Sequence, residues 1–123
     1  MRKNKHDTDK IVLQKIIKWC NVIKDLMSEY NSSYELYLSK MSFQLSCSAC
    51  VIQIGELITR LSEDFKIQHE EISWNSIKGL RNIHAHDYES VNFEYMWKIL
   101  TDDIPELKAQ LTEILSQEEI NSD

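Results

Sequence analysis

The sequence predicts an all-α fold. Two observations carry that prediction. Among 123 residues there are only 2 Gly and 1 Pro, few for a chain with many turns. Apolar residues also recur at alternating spacings of four and three over long stretches, the period of a helix laid against a core. A chain of this length makes one domain, 1–123, large enough to bury a real core. Residues 1–6 and 117–123 read as loose tails.

The elements follow in order. The first helix starts near Asp7 or Thr8 and runs to about Tyr30, with Val12, Ile16, Trp19, Ile23, Leu26 and Tyr30 as its seam. Leu13, Ile17, Cys20 and Met27 widen that stripe, so the helix meets two neighbours. Acidic residues interleave with its lysines, which argues against a membrane-surface helix. Asn31, Ser32 and Ser33 form a turn, and Tyr34 to Lys40 reads as a short helix leading into the next. From Met41 to Leu61 the stripe is Phe43, Cys47, Cys50, Ile54, Leu57 and Leu61. Gly55 lies inside this helix at a cost of about 1 kcal/mol relative to Ala.

Residues 62–72 are an acidic connection with room for a helical turn. Ser73 is suited to cap a helix that begins at Trp74 and ends near residue 86, followed by the loop Asp87 to Asn92. The last segment keeps one register through Phe93, Met96, Leu100, Ile104, Leu107, Leu111 and Ile114. Pro105 lacks an N–H and crowds the carbonyl of residue 101, so a kink or break is expected near Asp102–Asp103, with either aspartate capping the restart. From Ser116 the acidic end reads as loose.

Composition narrows the function. The net charge is −6 and the isoelectric point near 5.2, so there is no general basic surface to hold a polyanion. Contact with nucleic acid must be local, or built by two chains together. No run of about 18 apolar residues is read as a membrane span, and the basic N-terminus lacks the apolar segment of a signal peptide. Three cysteines, an odd number, fit a reducing cytoplasm. There is no P-loop and no Gly-rich phosphate cradle.

The stretch from Trp74 to Tyr88, WNSIKGLRNIHAHDY, gathers the side chains with chemistry to offer. On a helical wheel Ile77, Leu80 and His84 form an apolar stripe, while Gly79, Asn82 and His86 lie nearly opposite, with Arg81 beside Asn82. His84 therefore reads as a packed histidine and His86 as an accessible one. Arginine offers a permanently charged fork of donors for phosphate oxygens. Histidine can take a proton from a hydroxyl or give one to a leaving oxygen near neutral pH. Asparagine can orient either. Together Arg81, Asn82 and His86 are the least that metal-free RNA cleavage needs. Arg and His near a helix C-terminus are equally what the helix dipole favours, so spacing alone leaves both readings open.

Cys47-x-x-Cys50 with His84 and His86 offers a four-ligand zinc set. Both cysteines occupy seam positions, however, and histidines two apart on a helix diverge by about 200°. No metal or other cofactor is expected. The adjacent carboxylate pairs, such as Glu63–Asp64 and Glu70–Glu71, point apart and suit caps and solvated faces. Trp19, Trp74 and Trp97 read as core or interface anchors.

Arg81-Asn82-Ile83-His84-Ala85-His86-Asp87-Tyr88 has the form Arg-x-x-x-x-His-x-Tyr. With Ile54-Gly55-Glu56 upstream, Trp74 and Gly79-Leu80 before the arginine, and Trp97 and Ile104-Pro105 after the tyrosine, the chain resembles HepT-type ribonuclease toxins of the HEPN superfamily over roughly 8–116. The resemblance implies a four- to five-helix antiparallel bundle, homodimeric, with two Arg–His motifs facing one cleft. It implies a metal-independent endoribonuclease with RNA as substrate and a minimal nucleotidyltransferase antitoxin as partner. By position, Arg81 would stabilise the phosphate, His86 would be general base or acid, and Asn82 would hold the geometry. Tyr88 would be the tyrosine that the antitoxin modifies with AMP. Asp87 is a departure from the family's pattern: a carboxylate beside His86 would favour the acid role, and the sequence leaves both roles open. The alternative within the same resemblance is a catalytically inactive HEPN-like module that binds a nucleotide or a protein. Arg81 and His86 stand about 140° apart on one ideal helix, so a second chain would help to pool such groups around one phosphate.

Overall fold

The computed structural model describes residues 5–74 and 92–121, with side chains from residue 7 to residue 118. Every regular element among them is helical, as the sequence predicts. In chain order they are α1 (Lys5–Glu29), α2 (Tyr34–Ser39), α3 (Met41–Ile58), α4 (Glu63–Gln68), α5 (Phe93–Lys98), a π-helical turn (Ile99–Asp103) and α6 (Ile104–Asn121). The long helix α1 packs against both α3 and α6, which explains why its apolar stripe is wide.

The stripe is rotated from the expected seam. Leu13, Ile16, Cys20, Ile23 and Met27 are buried together with Val12, whereas Trp19, Leu26 and Tyr30 lie at its edge. Each fully buried Leu or Ile of this row contributes about 1.5–3 kcal/mol. The helix ends where Asn31 and Ser32 turn left-handed, at φ 58° and 49°. That geometry lets the Ser32 N–H donate to the Met27 carbonyl at 2.7 Å and the Asn31 N–H to that of Ser28 at 3.1 Å, satisfying carbonyls the helix leaves open.

Ser33 then caps α2, its Oγ accepting from the Leu36 N–H at 3.1 Å. The junction of α2 and α3 is locked from inside by Gln44, a buried amide whose Nε2 donates to the Tyr37 carbonyl at 2.7 Å. All six expected stripe residues, Phe43, Cys47, Cys50, Ile54, Leu57 and Leu61, are buried. Gly55 is buried too. The helix itself stops at Ile58, three residues before Leu61, where Thr59 Oγ1 donates back to the Glu56 carbonyl at 2.6 Å.

No apolar run of spanning length stands out in the sequence, yet α3 has the length and composition to cross a membrane. Its apolarity has a simpler cause. More than half of it, 56%, is buried against the rest of the bundle, as in a core helix.

The connection after α3 contains a real helix, α4, held by a two-step cap. Ser62 Oγ accepts from the Phe65 N–H at 3.1 Å and itself donates to Asp9 Oδ2 at 2.6 Å. The Ser62 N–H donates to Asp9 Oδ1 at 2.9 Å. Asp9 is 7% exposed, so one α1 carboxylate fixes the start of α4 across 53 residues of chain.

At the other end of the chain, Pro105 produces neither a break nor a capped restart. The backbone widens instead, through the π-helical turn Ile99–Asp103, and the Ile104 N–H reaches back five residues to the Ile99 carbonyl. Thr101 Oγ1 donates to the Trp97 carbonyl at 2.9 Å within this widened stretch. The register survives: Met96, Leu100, Ile104, Leu107 and Leu111 are all buried. Nor does the helix loosen at Ser116. It runs to Asn121, because Gln and Glu are good helix formers and Gln117 Nε2 reaches Glu113 Oε1 at 2.9 Å.

Candidate functional site

The residues on which the sequence reading places chemistry, Arg81, Asn82, His86 and Tyr88, lie outside the described residues, as does His84. What is described is how the chain enters and leaves that stretch. Both ends are held by aromatic clamps.

On the entering side, the backbone becomes helical at Trp74, the residue the sequence predicts as the helix start. Trp74 is buried, its ring 6.0 Å from that of Phe65, and its Nε1–H donates to the His69 carbonyl at 3.0 Å. His69 closes the cluster from the other side, its ring tilted against Phe65 at 4.6 Å and its Nδ1 3.5 Å from Glu71 Oε1. Phe65 and His69 are four residues apart, one helical turn, which is what brings their rings together. Ile72, 2% exposed, fills the bend, and the Trp74 N–H donates to its carbonyl at 2.8 Å.

On the leaving side, Asn92 Oδ1 caps α5 by accepting from the Tyr95 N–H at 3.0 Å. Phe93 and Trp97 then dock into an aromatic group from the turn after α1, from α2 and from α3. Tyr37 meets Phe93 edge-on at 5.7 Å and Trp97 at 5.3 Å, and Phe43 meets Trp97 at 6.2 Å. Tyr30 stacks on Phe43 at 4.2 Å. Such pairs add about 0.5–1.5 kcal/mol each beyond the area they bury. Trp74 and Trp97 are thus anchors, as the sequence suggests, and Trp19 packs at the core's margin.

Beside both clamps is a polar hollow of about 310 Å³ lined by Glu71, Ser73, Tyr95, Lys98, Asp103 and Glu106, with Leu107 and Gln110. Its residues come from just before Trp74, from α5, and from the π-helical turn and the first half of α6. A larger and mostly apolar groove of about 970 Å³ runs between α1 and α6, past Cys20, Ile23, Met27, Leu100, Ile104 and Pro105.

The cysteines belong to the core. Cys20, Cys47 and Cys50 are all buried and reduced. Burial pushes the Cys20 and Cys47 thiols up to about 12 and raises that of Cys50 as well, so all three stay protonated near neutral pH. A protonated thiol is neither a nucleophile nor a metal ligand. Among the described residues no group of His, Cys, Asp or Glu is arranged to hold a metal.

Comparison with known proteins gives the stretch its context. The family model described as ribonuclease HepT-like matches residues 14–114, which include both clamps and everything between them. The chain belongs to the HepT-like family. Its relatives include a protein of Thermococcus cleftensis named probable ribonuclease HepT, 28% identical over 92 residues that make up 73% of this chain and 84% of that one. A protein of Caldanaerobacter subterraneus subsp. tengcongensis, named as a candidate RNase, is 37% identical over 65 residues, 53% of this chain and 58% of its own. Another such protein, from Methanocaldococcus jannaschii, is 33% identical over 58 residues, 47% of this chain and 53% of its own. The aligned part of the chain thus spans little more than half the length of these last two relatives. No solved structure matches it.

Proposed function

We propose that this HepT-like chain is a metal-independent endoribonuclease, the toxin of a toxin–antitoxin pair, working as a homodimer. The observation that carries the reading is the family match over 14–114, which contains the whole Arg81-to-Tyr88 motif. The names of the relatives, which speak of RNase, point the same way.

In this reading the 2′-hydroxyl of RNA attacks the adjacent phosphorus and the bond to the 5′-oxygen breaks. One His86 takes the proton from the 2′-hydroxyl or gives one to the departing 5′-oxygen. Arg81 binds the phosphate oxygens as their charge builds, worth most where water is excluded. Asn82 orients the imidazole or the phosphate. With two copies contributing, one histidine can act as base and the other as acid. AMP placed on Tyr88 by a minimal nucleotidyltransferase antitoxin would add phosphate charge beside Arg81 and His86 and so block the RNA backbone.

Incubation of the purified protein with total RNA, with and without EDTA, tests the proposal. Cleavage should persist in EDTA and fall by about 10²–10⁴-fold in Arg81→Ala and in His86→Ala. Absence of cleavage by the unmodified wild type would instead favour the inactive nucleotide- or protein-binding module. Co-expression with a neighbouring nucleotidyltransferase should add about 329 Da per AMP. The same gain in Tyr88→Phe would put the modification on another residue.

A further inference from the structure

We propose that the outer face of α1, from Lys10 to Lys24, is where the phosphate backbone of the RNA rests. This depends on the ribonuclease reading above and adds to it a surface that holds the substrate away from the scissile bond.

The first observation is how unevenly charge is spread along an acidic chain. Of its 20 Asp and Glu residues none falls within residues 10–24, which carry Lys10, Lys15, Lys18 and Lys24. The acidic residues that alternate with lysines at the start of α1, Asp7 and Asp9, stop there, and the next are Asp25 and Glu29. At about 100° per residue, Lys10, Gln14, Lys18 and Asn21 share an arc of about 80°. Lys24 lies about 40° to one side of that arc and Lys15 about 60° to the other. Lys10 is half-buried, and the other five residues are exposed. Among the described residues none of the four ammonium groups forms an ion pair with a carboxylate. They are a local basic strip left without neutralising partners.

The strip has definite limits. Asp7 and Asp25 lie on the same arc and close it at its two ends, with Glu29 beyond, so the lysines span about 21 Å of helix. Asp9 points the opposite way, to Ser62. Glu113 of α6 lines the same groove as Lys24, which makes Lys24 the weakest member of the four.

The second observation says what the strip suits. Its two ends are too far apart for one phosphate group to reach both, so the ligand must repeat its charge along a line. A bilayer repeats charge too, but the apolar side of α1, through Leu13, Ile16, Cys20 and Ile23, is turned into the core and leaves nothing to enter one. Gln14 and Asn21, set among the lysines, offer amide donors to phosphate oxygens and acceptors to ribose hydroxyls, contacts that position a strand without reading its sequence. The net charge of −6 does not forbid this. At physiological salt charges act over about 8 Å, so a strand already at the surface feels the strip more than the rest of the chain.

RNA carrying 2′-O-methyl groups throughout lacks the attacking hydroxyl and so reports binding without cleavage. As a fluorescent single-stranded oligonucleotide it should bind the wild type about 20–50-fold more weakly at 200 mM than at 50 mM salt, the dependence expected of three or four phosphate contacts. Changing Lys10, Lys15, Lys18 and Lys24 together to Gln should remove most of that dependence and raise KM for cleavable RNA by about tenfold or more, with kcat little changed. Glutamine is a good helix former, so the circular dichroism spectrum should not change. Should the fourfold change disturb the fold, Lys18→Glu alone should still weaken binding at 50 mM salt by about tenfold. Lys40→Gln, outside the strip, should alter neither binding nor KM. A quadruple or Lys18→Glu variant that folds, cleaves RNA and keeps the wild-type salt dependence and KM overturns the strip alone. A wild type that neither binds nor cleaves RNA overturns the strip and the ribonuclease reading together. Lysine-dependent binding to anionic phospholipid vesicles but not to RNA would assign the strip to a membrane and overturn the RNA assignment.

Discussion

Replacing Asp9 with alanine should cost far more than its place in the first turns of a surface helix suggests. Both carboxylate oxygens are used: Oδ1 accepts from the Ser62 N–H at 2.9 Å and Oδ2 from Ser62 Oγ at 2.6 Å. Hydrogen bonds to a charged acceptor contribute about 1.5–3 kcal/mol each. Ser62 is only half-buried, so water recovers part of that, and a net loss of about 3 kcal/mol is expected for Asp9→Ala. Ser62→Ala removes one of the two bonds and the cap of α4 together, about 2 kcal/mol. Because the shared hydroxyl bond is lost only once, the double variant should fall short of the sum by about 1–2 kcal/mol. Urea unfolding at neutral pH measures all three. Additive losses, or an Asp9→Ala loss below about 1 kcal/mol, would mean that α4 does not depend on α1 for its start. The test also matters for the site, since α4 supplies Phe65, on which Trp74 rests.

The buried thiols make stability fall in alkali. Cys20 and Cys47 hold their protons up to about 12 in the fold against an ordinary value of 9.0, so their contribution is complete below pH 9 and is lost as pH rises toward 12. By pH 10 each thiol should remove roughly 1 kcal/mol, and a urea titration in which Cys47→Ala shows the same pH 8-to-10 loss as wild type would contradict the assignment. Ser32→Gly should stabilise the chain by about 0.5–1 kcal/mol, because Ser32 holds φ at 49° where glycine is at ease, and a lower thermal midpoint would show that the serine side chain matters more than its backbone strain.

Much of the fold was legible because burial imposes a period. The α3 stripe from Phe43 to Leu61 and the last seam from Met96 to Leu111 could be read from spacing, since each helix presents one main face to the core. The α1 seam was misjudged by one row because that helix packs on two partners, and a wide stripe has no unique centre. Pro105 was seen, but not its outcome. A missing N–H can be absorbed by widening the helix as well as by breaking it, and the burial of Ile99 and Leu100 within the turn favours the continuous form. The Asp9–Ser62 link was beyond sequence reading, as nothing local marks two polar residues 53 positions apart as partners. Of the candidate site, Arg81, Asn82, His86 and Tyr88 lie outside the described residues; the helical backbone at Trp74 was legible, while the aromatic clamps on either side depend on Tyr37, Phe43 and Phe65 arriving from other helices.

Charge decides how such a body could meet RNA at all. One copy carries −6, and two copies would carry twice that, so long-range attraction of a polyanion is excluded and pairing itself must overcome repulsion. Both difficulties have one answer if the copies meet through a face with almost no charge of its own. Positive potential then has to come from a few permanently charged groups brought close, which Arg81 from each copy would supply. In so acidic a chain, two guanidiniums converging on one phosphate would hold it more strongly than one.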